Sequence, residues 1–153
     1  MSALELKVPP IVLGPVAALG MWPVSALTPH VAIPAWVRLA VASAFVVPAL
    51  LLVVLASTAF GRDQIDKDSR HPEHTRALVV SGVFALTRHP MYLGLALLLC
   101  ALAVGLASPL AFLVVFGFAL FVHRFQVVPE ERALREKFGL AYEDYASRVR
   151  GWI

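Results

Sequence analysis

The chain has 153 residues, of which 59% are hydrophobic and 15% are charged, and its mean hydropathy is +0.79. This apolar excess excludes an ordinary soluble domain and predicts an integral membrane protein. The formal net charge of +3 does not indicate a nucleic-acid partner, because the basic residues flank apolar segments as the positive-inside bias requires. The single cysteine, Cys100, lies within an apolar run, so no intrachain disulfide is expected.

Four apolar segments approach the roughly 17 to 25 residues that a transmembrane helix needs. The first contains Pro15, Pro23 and two glycines and lacks a small-residue cleavage site, so we interpret it as a span rather than a signal peptide. The second carries Arg38 near its start and Pro48 as an expected kink. The last two are separated by only three residues, which predicts a tight helical hairpin. The four predicted spans are residues 10–27, 35–60, 91–106 and 110–125.

The basic residues predict the orientation of these spans. Of 13 Lys and Arg residues, five lie in 62–88 and six in 124–150. Placing both segments in the cytoplasm gives four crossings with both termini inside, and it leaves the nearly uncharged loop 28–36 outside. The sequence therefore predicts one all-α membrane domain. Its parts are two N-terminal spans (1–60), a cytoplasmic connection (61–90), a transmembrane hairpin (91–126) and short C-terminal interfacial helices on the cytoplasmic side (127–153).

The two polar segments carry further structural signals. The cytoplasmic connection is too long for a simple turn, and its stretch ALVVSGVFAL is apolar enough to pack against the membrane domain. After the fourth span, Pro129 suits a first helical position and Gly139 fits a C-terminal cap. Glu131 and Arg135 are spaced as an i,i+4 ion pair. Two side-chain sets are expected to share helix faces: Leu134 with Phe138, and Tyr142 with Tyr145 and Val149.

The hairpin predicts a polar site on the cytoplasmic side, because helix three starts and helix four ends there. Free amides and Arg88 at the start of helix three favour an anion, whereas two adjacent carboxylates after helix four favour a cation or sugar hydroxyls. Such a site suits a zwitterion. Each group alone is equally explained as an anchor, a helix start or an interfacial aromatic, so their convergence carries the prediction. The groups expected to meet are Arg88, His89, Tyr92, Glu130 and Glu131.

Two motifs resemble a known family. The chain contains RHPMYLG, then the apolar hairpin, then PEERALREKFGLAYEDYASRVRGWI. Over residues 76–153 this combination resembles the isoprenylcysteine carboxyl methyltransferases, and more loosely the membrane phospholipid N-methyltransferases. The resemblance implies a cytosol-facing pocket for S-adenosylmethionine, with Arg88 anchoring its surroundings. A four-span member is expected in a prokaryotic cytoplasmic membrane. The implied cofactor contacts are His89, Tyr92, Leu93, Gly94, Glu130, Glu131, Tyr142 and Tyr145.

The resemblance also implies methyl transfer to a lipophilic small molecule that enters from the bilayer. In-line displacement at a methyl carbon requires positioning, exclusion of water and a deprotonated nucleophile. Arg88 or Arg124 would orient a carboxylate acceptor, whereas His89 or a glutamate would take a proton from an amine or thiol. Arg88, His89 and Arg124 are therefore the candidate catalytic residues. The expected partners are this substrate and membrane lipid, and the oligomeric state stays open.

The chain departs from the family pattern before the motif. Family members commonly carry Gly-Pro-aromatic-Arg there, whereas this chain has Val83 for the proline and Ala85 for the arginine. The departure affects substrate chemistry more than cofactor binding. Two other functions therefore stay open: an NADPH-dependent membrane reductase of the sterol reductase type, whose C-terminal membrane region is similar, and a non-catalytic membrane adaptor.

The other candidate motifs give weaker evidence of a functional site. We predict no metal site at His71 and His74 of HPEH, because the sequence places no further ligand cluster beside them. The glycine-rich fingerprint of a soluble dinucleotide-binding domain is absent from the sequence. Glycines within the spans are expected instead at close helix contacts: Gly94, Gly105 and Gly117.

Overall fold

The computed structural model describes residues 10–27, 30–65 and 78–152. Within these residues the chain forms helices and no strand, as the all-α prediction requires. The elements in chain order are α1 Pro10–Ala26, α2 Ala35–Ile65, a 3-10 turn Gly82–Ala85, α3 Pro90–Gly105, α4 Ala111–Val122, a π turn His123–Val127, α5 Val128–Phe138 and α6 Leu140–Arg148.

The helices α2 and α3 pack as a close antiparallel pair. A Cβ atom on Gly94 would lie 2.9 Å from Val53 Cγ2 and 3.1 Å from the carbonyl oxygen of Ala49, so only glycine permits this approach. At the other end of the pair, Arg38 Nη1 donates to the Gly105 carbonyl at 3.3 Å. Because α2 has 31 residues and α3 has 16, the last turns of α2 extend beyond the first residue of α3.

The main core lies where α1, α3 and α4 meet. Met21 of α1 is fully buried there, and Gly14 of the same helix lies against the side chain of Leu95. In a bilayer, apolar burial alone gains little over contact with lipid, so close shape matching supplies the packing energy. Other buried members of this core are Tyr92, Leu99, Ala103, Ala111, Val115, Phe118, Val122 and Val127.

Among the residues that the structure describes, two helices contain a stretch long and apolar enough to cross a membrane: Ala35–Ala59, and the helix Ala111–Phe138, which contains the second stretch. Their outer faces expose large apolar side chains, among them Leu39 at 72% and Leu113 at 64%, as expected for helices that face hydrocarbon. The apolar helices α1 and α3 are shorter, with 17 and 16 residues. Two crossings therefore meet the length criterion, and the full set of four stays a prediction.

The helix that begins at Ala111 differs from its prediction. It does not end near residue 125 to restart at Pro129, but runs without a break to Phe138. Pro129 cannot donate a backbone hydrogen bond, and the π turn directly before it accommodates the interrupted helical ladder. The helix ends where predicted, at Gly139, whose φ of +52° favours glycine.

The apolar part of the connection packs on α2, as the sequence predicted. Val83 and Phe84 of the 3-10 turn are buried against Ala56 in the C-terminal part of α2. The start of α3 is thus fixed beside both α2 and the helices that follow α4.

Candidate functional site

The site is built on the first turn of α3. Pro90 occupies the first helical turn. Backbone amides in this turn have no partner within the helix, so proline, which lacks an amide proton, costs no hydrogen bond there. His89 precedes it with a non-helical φ of −127° and is only 5% exposed. The side chains of Arg88 and His89 contact α5, and Arg88 also contacts the end of α6, as the following distances show.

Arg88 connects three elements through its guanidinium group. Its Nε and Nη2 atoms donate to Glu131 Oε1 at 3.0 and 2.6 Å. Its Nη1 atom donates to the carbonyl oxygens of Ala146 and Val149 at 2.9 and 2.6 Å. These carbonyls lie at the C-terminal end of α6, where backbone acceptors have no intrahelical partner and attract a cation.

Residues 149–152 form a strap across this turn, held mainly by residues 87 and 88. Besides the bond from Arg88 to the Val149 carbonyl, the backbone amide of Arg88 donates to the Arg150 carbonyl at 3.0 Å, and Thr87 Oγ1 donates to the Gly151 carbonyl at 3.0 Å. The strap ends at Trp152, whose Nε1 donates to Nδ1 of His123 in the π turn at 3.4 Å.

Glu131 is the charged centre of these contacts. Its Oε1 also lies 3.2 Å from His89 Nε2, and its Oε2 lies 3.5 Å from Arg135, which confirms the predicted i,i+4 pair. Burial raises the pKa of this carboxyl, but hydrogen bonds from Arg88 and His89 outweigh burial and hold the pKa below its ordinary value. Because an ionised carboxylate only accepts, His89 carries a proton on Nε2.

Glu130 faces differently from its neighbour. Its side chain is 40% exposed, against 13% for Glu131. The hydroxyl of Tyr92 donates to Glu130 Oε2 at 3.1 Å, and His89 Nδ1 lies 3.8 Å from the same oxygen. The rings of Tyr92 and His89 stack at a centroid distance of 5.7 Å. The structure thus brings together all five groups that the hairpin predicted to meet.

A cavity of about 250 Å³ opens beside these groups. Five of the candidate residues line it: Arg88, His89, Glu130, Tyr142 and Tyr145. Six further lining residues were not assigned to the site from the sequence: Leu78, Val79, Phe84, Leu134, Lys137 and Phe138. The i,i+4 and i,i+7 spacing of Leu134 and Lys137 from Glu130 places them on one face of α5, a signal that would have found them.

Two tyrosines of α6 close the cavity in different ways. The Tyr145 hydroxyl donates to the Phe84 carbonyl at 2.7 Å, and burial raises the pKa of this phenol. Tyr142 is 1% exposed, and its hydroxyl has no hydrogen-bond partner among the described residues. Burial, reinforced by the negative charge of Glu131, raises the pKa of Tyr142 to about 12. Tyr142 is therefore a protonated, buried donor with no acceptor in the described part of the chain, and it lines a cavity.

The remaining candidate residues lie away from the cavity lining. Tyr92 donates a hydrogen bond to Glu130, and Leu93 is half-buried on α3. Gly94 packs against α2. Arg124 is exposed on the π turn, with its guanidinium 5.7 Å from the Phe125 ring centre. His71 and His74 fall outside the described residues. A Cβ on Gly105 or Gly117 would meet no described atom within 4 Å, so the close-packing prediction is wrong for those two.

Residues 37–141 match the family model of phospholipid methyltransferase. The chain belongs to this family. It is also 35% identical over 98 residues to a probable protein-S-isoprenylcysteine O-methyltransferase of Oryza sativa subsp. japonica, covering 62% of this chain and 50% of the rice protein. Identity to protein-S-isoprenylcysteine O-methyltransferase B of Arabidopsis thaliana is 36% over 83 residues, or 52% and 40% of the two chains.

A third relative carries a different activity in its name. The chain is 39% identical over 77 residues to a Delta(14)-sterol reductase of Mus musculus, covering 48% of this chain and 18% of the mouse protein. The chain spans half the length of the rice methyltransferase and less of the other two. The family model and the two plant relatives all carry the name of a methyltransferase.

Proposed function

We propose that this protein transfers a methyl group from S-adenosylmethionine to a lipophilic small-molecule acceptor at the cytoplasmic face of a prokaryotic membrane. The observation that carries the proposal is the Tyr142 hydroxyl, which is buried without a described partner and belongs to a residue that lines the same cavity as Glu130. A donor and an acceptor at one cavity suit a zwitterionic ligand.

The lining residues fit the chemistry of this cofactor. Tyr142 and the ammonium of Lys137 are donors for a carboxylate, while Glu130 accepts from ribose hydroxyls or an ammonium group. Apolar side chains supply the remaining wall, which suits an adenine ring: Phe84, Leu134 and Phe138. At about 250 Å³ the cavity is somewhat smaller than the roughly 300–1,000 Å³ that ligand pockets occupy, so a bound cofactor would have to widen it.

When bound, S-adenosylmethionine supplies a methyl group activated by a sulfonium. The chain positions the reactants and excludes water, which is most of what in-line methyl transfer requires. Arg88 is a positioning residue in this proposal, because its donors are engaged by Glu131 and by the end of α6. His89 Nδ1 is the available proton acceptor for an amine or thiol nucleophile, whereas a carboxylate acceptor needs none. The role of Arg124 stays a prediction.

A second cavity supports an acceptor that comes from the bilayer. It has a volume of about 280 Å³ and lies between the extended end of α2, at Leu55 and Ala59, and the 3-10 turn. Val79 lines both this cavity and the candidate cofactor cavity. Val79 therefore forms part of the wall between the cofactor cavity and a lipophilic molecule lying against α2.

Calorimetric binding of S-adenosylmethionine and S-adenosylhomocysteine to the detergent-purified protein tests the proposal. Tyr142→Phe removes only the unpartnered hydroxyl, so we expect affinity for both ligands to fall about tenfold or more. Tyr145→Phe is the matched control, because its hydroxyl already donates to Phe84. Binding that is unchanged in Tyr142→Phe would remove the cavity assignment.

NADPH in the same titration separates the methyltransferase from the reductase that the mouse relative suggests. Selective binding of the two sulfur-containing ligands supports methyl transfer, whereas binding of NADPH alone supports reduction. Cofactor binding without turnover across carboxylate, amine and thiol acceptors would support the non-catalytic adaptor, given the departures at Val83 and Ala85.

A further inference from the structure

A separate cavity of about 260 Å³ lies at the other end of the molecule. The start of α2 and the turn between α3 and α4 form its walls, with side chains of Val37, Val41 and Phe112. The loop before α2 is tied to this turn by the Val31 amide, which donates to the Ala107 carbonyl at 3.0 Å. The length of α3, 16 residues or about 24 Å, separates it from the candidate cofactor cavity.

Arg38 is one of the lining residues, but the cavity wall is almost wholly apolar, so the aliphatic stem of Arg38 lines the cavity and its charged guanidinium lies at the edge. In the sequence it is the only Asp, Glu, Lys or Arg between Lys7 and Arg62, and no such residue lies between Arg88 and Arg124. No carboxylate of the described residues is therefore available at this end. A charge in such surroundings is costly unless something pairs with it.

The hydrogen bonding of Arg38 is incomplete within the described part of the chain. Its Nη1 donates to the Gly105 carbonyl over a long 3.3 Å. Its Nε atom is buried and has no described partner. A guanidinium group offers five donors in a planar fork that matches phosphate oxygens, so these contacts leave most of its capacity for a ligand.

We propose that this cavity binds an anionic phospholipid, with the phosphate at Arg38 and an acyl chain along the apolar walls. The walls Val37, Val41 and Phe112 suit a hydrocarbon chain, and Leu39 of the same helix is apolar and exposed, as a lipid-facing side chain would be. A lipid of net negative charge compensates the positive charge of Arg38, which a zwitterionic lipid does not. This binding is independent of the proposed methyl transfer.

Lipid retention tests the proposal. The full chain is reconstituted with equal amounts of phosphatidylglycerol and phosphatidylcholine of the same acyl chains, extracted in neutral detergent and weighed by native mass spectrometry. We expect phosphatidylglycerol to be retained about tenfold over phosphatidylcholine, as for a charge-assisted contact, and Arg38→Gln to abolish the preference. Arg132→Gln removes an equal charge from an exposed position on α5 and is the matched control.

Val41→Trp provides a second variant that keeps the charge. Val41 is 41% exposed, so a larger side chain there fills the cavity without disturbing the core, and we expect lipid retention to fall. Equal retention of the two lipids by the wild type overturns the proposal. An equal loss of lipid preference in Arg132→Gln also overturns it, because the preference would then come from general charge attraction. Unchanged lipid retention in Val41→Trp overturns it too. Melting temperatures in neutral detergent verify that each variant is folded.

Discussion

Glu131 accepts two hydrogen bonds from Arg88 through one oxygen, Oε1, at 3.0 and 2.6 Å. The pair joins α5 to the turn before α3, and both side chains are largely buried, at 13% and 14% exposure. A buried pair of this kind is weak evidence of net stabilisation, yet breaking it leaves an uncompensated charge. The predictions that follow separate this structural pair from the groups that face the cavity.

Glu131→Ala is expected to destabilise the protein far more than Glu130→Ala. Loss of Glu131 leaves Arg88 buried without its counter-charge, at a cost of about 3 kcal/mol. Glu130 is 40% exposed, so its loss should lower ligand affinity and leave the melting temperature near that of the wild type. Thermal unfolding in detergent, followed by circular dichroism, measures the difference. Equal melting temperatures for the two variants would contradict the assignment.

Acid should destabilise the protein through Glu131. Its pKa is held below the ordinary value by Arg88 and His89, against the opposing effect of burial. Below the ordinary glutamate value of about 4.3, the unfolded chain therefore binds more protons than the folded chain. The stabilisation is complete above that pH and is lost as the pH falls through the lower, folded pKa. In Glu131→Gln the melting temperature should depend less on pH in this window. An unchanged dependence of melting temperature on acid pH in the variant would refute the linkage.

Arg88→Lys should loosen the strap formed by residues 149–152. A lysine has one nitrogen and cannot reach Glu131 and the carbonyls of Ala146 and Val149 together. The backbone amide of residue 88 donates to the Arg150 carbonyl of the strap, so its hydrogen exchange is expected to be faster in the variant. Arg148→Lys is the control, because Arg148 is exposed and pairs only with Asp144 in the described contacts. If both variants exchange alike, the strap is not held by Arg88.

Gly94→Ala should destabilise the contact between α2 and α3. The added Cβ would lie 2.9 Å from Val53 Cγ2 and 3.1 Å from the Ala49 carbonyl oxygen, a backbone atom that yields little. We expect a loss of about 1 to 3 kcal/mol. Gly117→Ala is the control, since its Cβ meets no described atom within 4 Å and alanine favours a helix. A stable Gly94→Ala variant would show that the two helices can move apart.

The sequence predicted those parts of the molecule that depend on short-range signals. The hydrophobic runs located α1 to α4 within a few residues, except that α2 continues to Ile65. Gly139 marked the end of α5, and the hairpin argument brought His89 and Glu130 to one end of the bundle. These results follow from helix length, turn chemistry and chain direction, which a local pattern contains.

The sequence predicted the local pair of Glu131 with Arg135 but not the side-chain partners that lie far apart in the chain. The bonds from Arg88 to Ala146 and Val149 span 58 and 61 residues, and no periodicity encodes such a pairing. The π turn was also missed. A proline such as Pro129 occurs both at the start of a new helix and after a π turn within a continuous helix, and the local sequence does not distinguish the two. The distinct roles of Glu130 and Glu131 depend on burial, which adjacent positions in a sequence do not reveal.

The strap has a consequence for the order of folding. Hydrogen bonds within a helix join residues four apart, whereas the side-chain bonds of Arg88 join residues 43 to 61 apart. Closing such loops costs chain entropy before any contact rewards it, so contacts of high sequence separation form late. In a refolding experiment, helicity should therefore recover before ligand binding, and a helical intermediate with an open cavity should precede the binding-competent state.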